Sequence, residues 1–121
     1  MEITVKGGSS RTFTFQPKIN GQPVTTKEQL MGGKFVMGLV NNIGRVEYCA
    51  DSESMLLVGG KWYLTLQPDE TRKLAGKTLV WQIKYCLMNQ VLSDKWINDN
   101  GEEEPFIVHF VKWGIGDEQH P

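Results

Sequence analysis

With only two cysteines and two histidines in 121 residues, the chain cannot build a stapled scaffold, and no His or Cys spacing in it resembles a structural zinc site. Long apolar runs are also missing. No stretch approaches the roughly 20 residues of a membrane-spanning helix, and Met1-Glu2-Ile3-Thr4-Val5-Lys6 holds no run of signal-peptide length. These absences lead to the expectation of a chain made and kept in a reducing cytosol, with no membrane partner. Cys49 and Cys86 are then expected as buried free thiols acting as small hydrophobes; one disulfide between them would require their strands to face each other. A charge excess is lacking too. Thirteen basic side chains against 14 acidic ones give a net charge of −1, which supplies no strong attraction to polyanions, so no nucleic-acid partner is expected.

What the chain does contain is strand signal. Hydrophobic residues make up 40% of it, enough to argue against disorder, and 121 residues suffice for one domain that buries roughly two thirds of its unfolded surface. Strongly periodic helical segments are absent, while 13 glycines and many Thr, Val and aromatic residues fit short strands joined by turns. The most informative stretch begins at Lys61. Trp62, Leu64 and Leu66 alternate on one face, Pro68 to Gly76 reads as a polar helical turn, and Leu79, Trp81, Ile83 and Tyr85 alternate again. A connection of about ten residues between two half-buried strands suits a crossing between the sheets of a β-sandwich.

The rest of the chain follows the same grammar. Ile3 and Val5 are followed by Gly7-Gly8-Ser9-Ser10 and then by Thr12-Phe13-Thr14-Phe15, which predicts two strands around a flexible turn. Asn20-Gly21 predicts a tight turn, and Thr25 or Thr26 is placed to cap a helical turn over Lys27 to Leu30. Gly32-Gly33 ends that turn, and Lys34 to Val40 reads as a central strand with Phe35, Met37 and Leu39 on one side. Asn41-Asn42-Ile43-Gly44 predicts a hairpin into a strand where Val46 and Tyr48 share a face. Gly59-Gly60 then turns Met55 to Val58 into the strand at Lys61. A final hairpin is expected around Asn98 to Glu104. The last strand, Phe106 to Trp113, carries apolar side chains on both faces, so one of them is expected to meet another chain. The reading is an all-β, antiparallel β-sandwich of about seven or eight strands over residues 1–113, with a polar tail over residues 114–121.

No constellation in the sequence is arranged for catalysis. His109 has no Ser, Asp or Cys in a recognised catalytic arrangement and reads as a half-buried strand histidine, while His120 is next to the end of the chain. The acidic run Asn98 to Glu104 departs from the twelve-residue calcium loop and reads as a solvated hairpin tip. The pairs Asp51/Glu53 and Asp69/Glu70 fall in polar turns, where capping explains them. The double glycines lack the spacing of phosphate-binding loops. No enzyme activity, metal or cofactor is expected. Trp96, Phe110 and Trp113 are the candidate partner-binding residues, because they lie in the late segments whose aromatic side chains are least fully assigned to a core.

The run Leu66-Gln67-Pro68-Asp69-Glu70-Thr71-Arg72-Lys73-Leu74-Ala75-Gly76, leading into an alternating strand, resembles the immunoglobulin-like domain at the amino terminus of bacteriophage baseplate upper proteins. In that family an opening strand precedes a segment like Phe13-Thr14-Phe15, with an Asn-Gly turn like Asn20-Gly21. The resemblance spans roughly residues 2 to 113, although the connection from Leu87 to Pro105 is longer than the family's short hairpin. It implies a non-enzymatic phage or prophage virion structural module of baseplate, tail or head-fibre type, made in the host cytoplasm and carried in the virion. Its partners would be other virion proteins or copies of itself. Two alternatives are a small phage-encoded inhibitor of a host defence protein, acting through Glu102, Glu103 and Glu104, and a carbohydrate-binding module.

Overall fold

Alternating apolar residues settle into two sheets that share one core. The computed structural model describes residues 1–19, 21–87, 90, 91, 102 and 104–112. Among these residues the chain runs β1 (Glu2–Lys6), β2 (Arg11–Phe15), β3 (Lys18–Ile19), β4 (Gln22–Pro23), β5 (Lys34–Val40), β6 (Val46–Asp51), β7 (Leu56–Val58), β8 (Lys61–Leu66), α1 (Pro68–Leu74), β9 (Thr78–Leu87), β10 (Gln90–Val91) and β11 (Ile107–Val111). Eight of these strands have three residues or more, and the protein is all-β.

The larger sheet has the order β1-β11-β9-β5-β6, with β10 also pairing β9; the smaller has β2-β8-β7, and β3 and β4 form a two-stranded ribbon. Trp62, Leu64 and Leu66 from the small sheet meet Phe35, Met37, Leu39, Leu79, Trp81, Ile83 and Tyr85 from the large one, all buried. Phe13 sits edge-on to Trp81 at 5.2 Å between ring centres, and Phe35 sits edge-on to Trp62 at 6.1 Å, so aromatic contacts tie the two layers together. Two of the core's polar handles are anchored to main chain: the Trp62 indole N–H donates to the Val24 carbonyl (2.9 Å), and the Tyr85 hydroxyl donates to that of Leu30 (2.6 Å).

The helical crossing forms where the sequence places it. Pro68 opens α1, the Glu70 carboxylate accepts from the Gln67 N–H (2.8 Å), and acids in the first turn with bases in the last suit the helix dipole. Thr71 faces inward and is fully buried. Its hydroxyl accepts from the Gly8 N–H at 3.0 Å and donates to the Ser9 carbonyl at 2.7 Å, which pins the β1–β2 turn to the helix. The hairpin at Asn41 is held by that residue's side-chain carbonyl, which accepts from the N–H groups of Ile43 (3.1 Å) and Arg45 (2.9 Å). Gln29 closes the helical turn over Lys27–Leu30 by accepting from the N–H groups of Thr25 (2.8 Å) and Thr26 (3.0 Å).

Three expectations are corrected. The sandwich is not wholly antiparallel, because β11 runs parallel to β1 and brings the opening strand beside the last described one. Val46 and Tyr48 do not share a face. The register shifts between Leu39 and Val40, so Leu39 pairs with Tyr48 but Val40 pairs with Val46, and the extra residue turns Val46 outward. Val46 ends 3.6 Å from where a Cβ on outward-facing Gly38 would lie. Cys49 is exposed rather than buried. The two thiols are free, and their residues pair with Gly38 and Lys34 on opposite sides of β5, which holds them apart. The polar tail, the Asn98 to Gly101 tip and Asn20 lie outside the described residues.

Candidate interaction surface

Of the three residues read as partner contacts, Phe110 is 1% exposed and packs in the core with Val108 and Phe106, so its side chain has no surface to offer. Trp96 and Trp113 lie outside the described residues. The last strand is also closed as an edge: β11 pairs with β1 on one side and β9 on the other, leaving it no free main chain with which to extend a partner's sheet. The outer face of β11 carries Ile107, His109 and Val111. His109 stands between its neighbours, with Nδ1 3.1 Å from the Thr78 hydroxyl and Nε2 3.2 Å from the Glu2 carboxylate, the satisfied strand histidine that the sequence suggests.

The other groups with chemical potential have structural work. Ser52 is buried, and its hydroxyl oxygen accepts from the Phe35 N–H at 3.1 Å. Asp51 pairs with Lys34 at 3.3 Å and accepts from the Glu53 N–H at 3.0 Å. Glu47 is held below the usual carboxylate range, first by a hydrogen bond from the Lys77 ammonium and further by Arg45, whose Nε is 3.8 Å away. Burial pushes the Tyr48 phenol up to about 12, with repulsion from the Glu70 carboxylate adding to it. Among the described residues no group of three or more His, Cys, Asp or Glu side chains could hold a metal ion. A cleft of about 290 Å³ lies between the helical turns at Lys27 and Glu53, floored by Trp62 and Gly33. Its two inner polar groups, the Trp62 indole and the Ser52 hydroxyl, are committed to Val24 and Phe35.

A different surface stands out on the small sheet. β7 is one of its two edges, and Leu56 and Val58 leave 64% and 53% of their surface exposed while Leu57 packs toward the core. The strand has neither a charged residue nor a proline, the usual guards of a sheet edge. Gly59 and Gly60, at φ of 59° and 78°, form the two-residue turn that leads into β8 and sets the register Leu56 to Tyr63, Leu57 to Trp62 and Val58 to Lys61. The sequence reading treats this run only as the approach to the double glycine. The signal for an open edge is nonetheless present, in three consecutive uncharged aliphatics too short to be a central strand. No family model, no curated protein and no solved structure matches this chain.

Proposed function

We propose that this chain is a non-enzymatic assembly module: an immunoglobulin-like β-sandwich that joins copies of itself or other proteins in a bacteriophage particle. The observation that supports it best is the unguarded β7 edge, since a stable sandwich gains nothing from leaving two aliphatic side chains exposed on an edge strand unless another chain meets them. The helical crossing between β8 and β9 agrees with the immunoglobulin-like resemblance. Potential catalytic side chains such as His109 and Ser52 are engaged in holding strands and turns. The inhibitor reading rests on Glu102, Glu103 and Glu104, of which Glu103 lies outside the described residues, and gains no support from the fold.

The test is to purify phage particles from cells that produce the chain and to quantify it in the particle fraction. A fixed copy number per particle is the expected result. A chain that stays wholly in the soluble fraction and never enters particles would overturn the reading.

A further inference from the structure

We infer that two copies of this chain pair antiparallel through β7, joining their small sheets into one continuous sheet. This names the partner and surface for the assembly reading above and rests on it.

The main chain supports the pairing first. In a two-residue hairpin the residues flanking the turn form a hydrogen-bonded pair, so Val58 and Leu56 direct their N–H and C=O groups at β8. Alternation then points those of Leu57 away from β8, to the side where no described strand pairs with β7. A second β7 laid antiparallel with Leu57 opposite Leu57 exchanges two main-chain hydrogen bonds about a two-fold axis, and the same patch serves both copies.

The side chains agree with that register. It sets Leu56 of each copy opposite Val58 of the other on the outer face, covering the two aliphatics that are exposed in the single chain. The charges at the two ends of the strand are complementary. Glu53 precedes the start of β7, and Lys61 pairs with Val58 at its end. Both are exposed, and neither has an ion-pair partner among the described residues. An antiparallel mate brings the Glu53 end of each copy toward the Lys61 end of the other, so opposite charges attract at both ends of the contact. A parallel mate would put Glu53 beside Glu53 and Lys61 beside Lys61. The contact is short, which makes a weak dimer suited to a multivalent particle, where neighbours hold each edge at high effective concentration.

Sedimentation of the full chain from about 10 µM to about 1 mM, where a weak two-fold contact becomes populated, tests the inference. The expected result is a mass rising from monomer toward dimer, with Leu56→Lys weakening association at least about tenfold through an added edge charge. Glu53→Lys and Lys61→Glu should each weaken it, and the two together in one chain should restore it to within about twofold, because the pair is re-formed with its signs exchanged. A mass fixed at monomer across the range, a dimer indifferent to Leu56→Lys, or a double variant no better than the single ones would overturn the pairing. A monomer that still enters particles refutes self-pairing and leaves the assembly reading intact, whereas a dimer absent from particles does the reverse.

Discussion

The two sheets of this protein meet the same core and have opposite edges. In the large sheet, β9 is flanked by β5, β11 and β10, its inner residues Leu79, Trp81, Ile83 and Tyr85 are buried, and charges protect the outermost strands: Glu2 and Lys6 on β1, Glu47 and Asp51 on β6. The small sheet has three strands and ends in β7, where no charge stands among Leu56, Leu57 and Val58. Both sheets supply the shared core, whereas the proposed association uses only the β7 edge, so the proposal requires stability and association to separate under mutation.

The largest effect belongs to the core. Trp81 touches Phe13, Phe15 and Tyr48 through edge-on ring contacts, and Trp81→Ala should cost about 3–5 kcal/mol, read as a collapse of the urea midpoint. Gly33→Ala comes next. A Cβ there would lie 2.4 Å from the Cys86 carbonyl oxygen, so the start of β5 must move away from β9, costing on the order of 1–3 kcal/mol. Thr71→Val keeps the shape but leaves the Gly8 N–H and Ser9 carbonyl without their partner; about 1–3 kcal/mol should be lost, with hydrogen exchange quickening in the β1–β2 turn. Leu56→Lys should move the urea midpoint by no more than about 0.5 kcal/mol equivalent while weakening association, which is the clearest separation of the two sheets.

The smallest effects are electrostatic and again lie in the large sheet. Glu47 is more acidic in the fold than in the unfolded chain, so its contribution is present at neutral pH and is lost as pH falls through its depressed folded value. Glu47→Gln should flatten that part of the acid limb. Tyr48 has the opposite sense. With its phenol raised to about 12, the unfolded chain ionises first as pH climbs past about 10, and stability falls between those limits. Tyr48→Phe should remove that share of the alkaline loss in urea titrations.

Much of the large-sheet pattern was legible in the sequence because burial on one face writes itself as alternation. Leu79, Trp81, Ile83 and Tyr85 could be assigned to the core from spacing alone, and Pro68, Asp69 and Glu70 announced the helix that separates β8 from β9. What failed were features that alternation does not encode. The extra residue in β6 reversed Val46, and a one-residue irregularity leaves no mark on composition. Phe110 reads as a contact because both faces of its strand are apolar. The parallel pairing with β1, a long-range event invisible to local pattern, made β11 an interior strand. β7 escapes a periodic reading because three residues are too few to show a period, although their lack of charge is plain in the sequence.

Amide hydrogen exchange of the whole chain at about 10 µM and about 1 mM tests the central claim most directly, because it reads both sheets in one experiment. The account expects β9 amides to be protected equally at both concentrations and the Leu57 amide to gain protection only at the higher one. A Leu57 amide that exchanges at the same rate at both concentrations would contradict it.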